Sequence, residues 1–501
     1  MDEESISTEL LLALNSRDFI DSMGVGLVLQ DAAGVIVDSN VAAAQLLGLT
    51  LDQMMGRTSF DPSWGAVHED GSTFAGEDHP AMVSLRRGEI CRSVVMGVDN
   101  AQRARRWILI DAWPIISDGV VRGVITTFDD QTERVVRDKT FHALARINEL
   151  IVQSHEASAF LAGAAASLVV SLGYACVAFV ADTPEGVAEL AVATAPDLEG
   201  AGCGALEAEG PVVGALSARE VRVENDLAGL SHSWAASDVE RGYRSVIALP
   251  LALHSRAAAL VLYGRRSFDF DDVTTQGLAE IARVIEVGAE HVEALTHLAR
   301  AFDGTLGALA QVVETRDPYT AGHQSNVGAL SEAIALRLGL AADLVGQIRR
   351  AAEVHDIGKM TVPAEILTKP GRLDPLEYEL VQTHPRVGAQ ILARASLGWP
   401  IAEVALQHHE RLDGSGYPEG LRGEQIIVPA RIVAVADVFE AMVQHRPYRP
   451  GLGVEAAMGE LLEGAGLLYD AGAVRALVEV IEAGFRFEGP LVEGTTLERA
   501  D

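Results

Sequence analysis

Cysteine is nearly absent from this chain: 501 residues hold three, Cys91, Cys176 and Cys203. So few, so far apart, exclude both a disulfide framework and a thiolate metal site, and a reducing cytoplasm is the expected compartment. Long apolar runs are missing too. No stretch reaches the roughly 18 residues that span a bilayer, and the opening Met1-Asp2-Glu3-Glu4 is acidic where a secretory signal would be basic. Positive charge is in deficit, with 39 Lys and Arg against 71 Asp and Glu and a net charge of −32. That balance repels phosphate backbones and excludes the wrapping of DNA or RNA, while leaving room for a local basic pocket around a small anion. Aromatic residues are only 5% of the chain, yet 49% is hydrophobic, an ordinary globular composition rich in helix-favouring alanine. The length suggests about three or four domains.

Three blocks are legible between an N-terminal segment, 1–17, and a tail, 491–501. The first, 18–134, opens with two β-rich runs, Val25 to Gln30 and Val35 to Asp38, split by the turn Asp31-Ala32-Ala33-Gly34. Asn40 can cap a helix over Val41 to Leu47, and Gly48 can end it. Runs at Arg106 to Pro114 and Gly123 to Phe128 flank a Ser117-Asp118-Gly119 turn and complete a small antiparallel sheet. His68 and His79 sit among Asp, Glu, Gly and Pro, and are read as solvated loop histidines rather than haem ligands. The pattern Gly34…Asn40-x-Ala-Ala…Leu47-Gly48…Gly56, closed by Gly123-Val-Ile-Thr-Thr-Phe-Asp-Asp-Gln-Thr-Glu133, resembles a PAS domain. The resemblance implies a sensory or dimerising module and names no ligand.

A helical linker, 135–145, leads to the second block, 146–296, with runs at Ala175 to Ala181 and Leu190 to Ala193. Gly242-Tyr-Arg-Ser-Val-Ile-Ala-Leu-Pro-Leu251, followed by Ala258 to Tyr263 and Phe268-Asp269…Leu278, resembles a GAF domain. That resemblance implies a sheet with helices on one side and a second sensor role. In the next linker, 297–312, and just before it, Leu295, Leu298, Phe302, Leu309 and Val312 recur at three- and four-residue steps, with Thr305 at the position between Phe302 and Leu309. They form either the seam of a parallel homodimer or a face packed against the neighbouring domain.

The third block, 313–490, carries the chemistry. The helical run Leu344 to Val354 ends in His355-Asp356, and an amphipathic run from Pro429 to Val443 places Asp437 among Ile432, Val433, Val435, Val438 and Phe439. A carboxylate there costs several kcal/mol unless a salt bridge or metal compensates. The same holds for His384, before Pro385, and for His408 and His409 after the Ile401 to Gln407 helix. These donors, with Asp317-Pro-Tyr-Thr-Ala-Gly-His323, His355-Asp-Ile-Gly-Lys359, Lys369-Pro-Gly-Arg-Leu373, His408-His-Glu-Arg-Leu-Asp-Gly-Ser-Gly-Tyr-Pro418 and Arg446-Pro-Tyr-Arg449, resemble the HD-GYP family of cyclic di-GMP phosphodiesterases over the whole block.

The resemblance implies a multidomain protein, two α+β sensor domains followed by an all-α HD-type domain, that opens cyclic di-GMP to pGpG, with the further step to GMP staying open. It makes His323, His355, Asp356 and Asp437 one ligand set, with Asp356 bridging to a second cation completed by His384, His408 and His409. Mixed imidazole and carboxylate ligation suits iron or manganese, zinc, nickel and magnesium staying open. It places Lys359 at the scissile phosphate and Arg446 and Arg449 on the other phosphate, although those arginines also read as a solvated pair. The loop through Tyr417 reads as a tight surface turn or as a pocket lip, and the family implies GGDEF-domain proteins as partners there. Two positions depart from the pattern: Tyr319 replaces the glutamate of three-metal members, which favours two ions, and Asn326 replaces a common arginine. A receptor without turnover, or a hydrolase of another nucleotide such as cyclic GMP-AMP, are the alternatives.

Overall fold

The structure, a computed structural model, describes residues 17–61, 64–69, 71–100, 105–198, 210–253, 256–316, 322–369, 371–395, 399–444 and 451–487. The chain divides into two compact units, 1–296 and 297–501. Among the described residues no helix is long and apolar enough to cross a membrane.

The first unit holds two five-stranded antiparallel sheets. In the first, β1 (Gly26–Asp31), β2 (Ile36–Ser39), β3 (Cys91–Asp99), β4 (Arg105–Ser117) and β5 (Val120–Asp130) run in the order β2-β1-β5-β4-β3. Asn40 is fully buried and ties this sheet to the helix Val41–Leu47: its Oδ1 accepts from Leu27 N and Ala43 N, and its Nδ2 donates to Ile20 O and Val25 O. Gly48 ends that helix in the left-handed region, where the lack of a Cβ removes the strain. The edge strand β3 was not expected from the sequence, because Cys91-Arg92-Ser93 and Gly97 break its apolar alternation.

His79 corrects its sequence reading. Pro80 begins the helix Pro80–Arg87, and His79, at its N-cap, turns inward, only 6% exposed. Its Nε2 has no hydrogen-bond partner, and burial pushes its pKa down. It lines a cavity of about 90 Å³ with Val28, Ile36, Met96, Ile108 and Phe128.

The second sheet is built from β6 (Cys176–Thr183), β7 (Gly186–Thr194), β8 (Arg222–Glu224), β9 (Ser245–Leu253) and β10 (Arg256–Gly264), in the order β7-β6-β10-β9-β8. Side chains alternate across β10 and both faces are buried. Leu260 and Leu262 pack with Ile147, Phe160 and Ile281 on one face, and Ala259 and Val261 pack with Val212, Ala215 and Trp234 on the other. Helices therefore cover both faces, not one as the resemblance implied. Burial on two sides demands the continuous apolar run that made this strand legible.

In the second unit helices surround a core of Val327, Leu330, Ile334, Ile348, Val433, Phe439 and Leu477. The helix Ala342–Glu353 buries Val345, Ile348 and Ala352, a three- and four-residue spacing that faces this core. The helix Asp272–Arg316 reaches into the unit and buries Leu306, Ala310 and Val313. Of the expected seam, Phe302 packs against the core, while Leu298, Leu309 and Val312 are exposed.

Candidate metal centre

Helix ends supply most of the donors. His323 and His384 are the first residues of the helices His323–Arg337 and His384–Ala393, and His408 and His409 directly follow Ile401–Gln407. His355 and Asp356 lie between Ala342–Glu353 and the 3-10 turn Ile357–Thr361, whereas Asp437 lies inside Val428–Val443. Gly358 makes the close approach possible: a Cβ there would lie 2.0 Å from His384 O. Without a side chain, the turn after Asp356 packs directly on the helix that presents His384.

All seven sequence-predicted donors come to one place. The donor atoms of Asp356, His384, His408 and His409 lie within 4.8 Å of one another, as do those of His323, His355 and Asp356. Asp356 belongs to both groups. Its Oδ1 is 3.1 Å from His384 Nε2 and 3.8 Å from His408 Nε2, and its Oδ2 is 3.4 Å from His355 Nε2 and 3.9 Å from His323 Nε2. Asp437 Oδ1 faces His323 Nε2 at 3.3 Å and His355 Nε2 at 4.0 Å.

The opposite ring nitrogens explain this aim. Nδ1 of His355, His384 and His408 bonds to the carbonyls of Ala352, Val381 and Ala405, and Nδ1 of His323 bonds to Glu440. Partners of this kind fix ring orientation and tautomer, leaving Nε2 to the centre. His355 Nε2 and Asp356 Oδ1 are buried without a hydrogen-bond partner. Orphaned buried donors and acceptors are costly, and cations between them would satisfy both. The residues present therefore fit divalent ions.

Charge supports the same arrangement. Burial opposes ionisation of Asp356, but Lys359 and His355 hold its carboxyl well below the usual range. His323 and His355 do the same for Asp437 against the same opposition. Burial and neighbouring histidines push His408 well down and His409 to about 3, which leaves their imidazoles neutral. His323 is also opposed by burial, yet its bonds to Asp437 and Glu440 raise it to about 10. A cation at its Nε2 would compete with that proton.

Lys359 Nζ contacts Asp356 Oδ2 at 2.5 Å. Tyr417 leans over His409 with ring centroids 4.8 Å apart. Its loop is held from beneath by Glu410, whose buried carboxylate accepts from the backbone N–H groups of Glu419, Gly420 and Leu421. Gly416 is required there, since a Cβ would meet Arg411 N at 2.4 Å. Tyr319, Arg446 and Arg449 lie outside the described residues.

Glu440 and Glu410 were not assigned roles from sequence. Each is an acid beside a donor, three residues after Asp437 and one after His409, and that proximity was the available signal. Asn326 is explained: its Nδ2 donates to Glu440 Oε1 at 3.2 Å, so an amide stands beside the acid that grips His323.

Residues 307–472 match the HD domain. Residues 20–136 match the PAS fold. Across 179 residues the chain is 41% identical to the cyclic di-GMP phosphodiesterase response regulator RpfG of Xanthomonas campestris, which covers 35% of this chain and 47% of that protein. It is 44% identical over 179 residues to a cyclic di-GMP phosphodiesterase of Thermotoga maritima, covering 35% and 48%. It is 39% identical over 175 residues to 3′3′-cGAMP-specific phosphodiesterase 3 of Vibrio cholerae, covering 35% and 38%. The chain thus spans less than half the length of each of these relatives.

Proposed function

We propose that this chain is a sensor-regulated phosphodiesterase that opens cyclic di-GMP to pGpG, and that its HD domain holds two divalent ions for the purpose. The sharing of Asp356 between two groups of donors carries this reading. His323, His355, Asp356 and Asp437 would hold one ion, and Asp356, His384, His408 and His409 the other. Iron or manganese suits this mixture of nitrogen and oxygen donors. Such a pair supplies an activated water near neutral pH and neutralises charge on the phosphate.

The chain's own groups complete the chemistry. Lys359, partly exposed beside the centre, brings a positive charge to the phosphate under attack, and Asp356 holds its ammonium in place. Tyr417, on a loop anchored by Glu410, offers an aromatic face beside His409 for a base of the substrate. Arg446 and Arg449 are assigned to the second phosphate. The PAS domain and the second sheet, read as GAF, act as sensors, and the exposed apolar positions of the Asp272–Arg316 helix meet those of a second copy.

Similarity to both kinds of relative keeps cyclic GMP-AMP as a second substrate reading. Protein purified without oxygen and supplied with iron or manganese would be given each cyclic dinucleotide in turn, beside Asp356→Ala. Release of pGpG by the wild type alone supports the proposal. Binding without release would mark a receptor, and turnover of cyclic GMP-AMP alone would reassign the substrate.

A further inference from the structure

The last turn of the Asp272–Arg316 helix touches the backbone on either side of His323. Gly322 N–H donates to Glu314 Oε2 at 3.0 Å, and Gln324 N–H donates to Glu314 Oε1 at 3.2 Å. Gly322 is the N-cap of the helix that His323 begins, and no side chain of its own caps that end. The first amides of a helix lack partners within it, and a carboxylate there also meets the positive end of the helix dipole. Glu314 supplies both from another helix.

Its neighbour Val313 is buried in the core of the second unit with Leu306. Packing on that face sets the position of the helix, and with it the position of Glu314. The carboxylate therefore links a packed helix to the peptide groups flanking a single donor. His323 is in turn clamped by Glu440 and faces Asp437, so a displaced backbone at this point would move Nε2 out of alignment.

We propose that Glu314 is a positioning residue: it couples the end of the Asp272–Arg316 helix to His323, so that helix position and ion binding control one another. The coupling rests on the reading of His323 as a metal ligand. Linkage makes it reciprocal, because whatever helix position favours the ion is favoured by the ion. Movement of the helix would be felt first by the ion at His323, and the group of His384, His408 and His409 would be affected less.

The test titrates metal-free protein with manganese, counts bound ions, and follows backbone amide exchange with and without the metal. In the wild type, manganese should slow exchange over residues 309–316 by about fivefold or more. In Glu314→Ala that slowing should vanish, exchange at Gly322 and Gln324 should rise without metal, and one of the two ions should bind about 10- to 100-fold more weakly. Glu314→Gln, which can accept one of the two bonds, should be intermediate, and Thr315→Ala should match the wild type. Unchanged ion binding and unchanged exchange in Glu314→Ala overturn the coupling, as does equal loss of both ions with protection lost across the domain. A wild type that binds no manganese would instead defeat the metal reading, and the coupling with it.

Discussion

Glu440 grips His323 by Nδ1 and so turns Nε2 toward Asp437, 3.3 Å away. The acid is almost fully buried, and Asn326 is its second partner. Glu440→Ala should leave the ring free to rotate and weaken one ion by about 10- to 100-fold. Equilibrium dialysis against manganese measures this, and unaltered affinity would show that Glu440 is not what orients the ring.

Lys359 offers a separable effect. Its charge is proposed to act on the phosphate, while the ions are held by other residues. Lys359→Ala should retain its manganese and lose about 100-fold or more in kcat. Loss of the metal along with turnover would instead make the lysine a support for Asp356.

A stability prediction concerns the N-terminal domain that matches the PAS fold. Asn40→Ala removes four hydrogen bonds, one fully buried and three partly buried, and takes the Asn40 partner from Leu27 N–H, Ala43 N–H and Val25 O, while Ile20 O still accepts from Met23 N–H. The cost should be about 3 kcal/mol in urea unfolding of that domain, given about 1–3 kcal/mol for each buried group left unsatisfied. A change within about 0.5 kcal/mol, the range of ordinary surface substitutions, would contradict the described role.

Much of this was visible in the sequence because it is local. Asn40 and Gly48 bracket their helix as capping chemistry requires, and the apolar run of β10 betrays a strand covered on both sides. Asp437, His384, His408 and His409 were legible because acids and histidines are out of place beside apolar helices, and the resemblance to the HD-GYP family supplied the rest of the set. What escaped depends on distant chain segments. Glu440 and Asn326 meet across 114 residues, and Glu314 acts on backbone amides, which leave no mark on residue type. His79 looked solvated because its neighbours are polar, yet Pro80 turns it into the core.

The exposed face of the Asp272–Arg316 helix can be tested by mass. Leu298 and Leu309 are 66% and 39% exposed. If a second copy covers them, Leu298→Asp with Leu309→Asp should shift the protein from dimer to monomer in sedimentation equilibrium, weakening association by about 100-fold or more. A monomeric wild type, or an unaffected dimer, would assign that face another role.

Counting ions tests the central claim most directly. Manganese bound to metal-free protein should reach two per chain, with the paramagnetic resonance signal of a coupled pair, and Asp356→Ala should abolish the coupling. A single isolated ion in the wild type, or a coupled pair that survives Asp356→Ala, would contradict a centre built around the shared carboxylate.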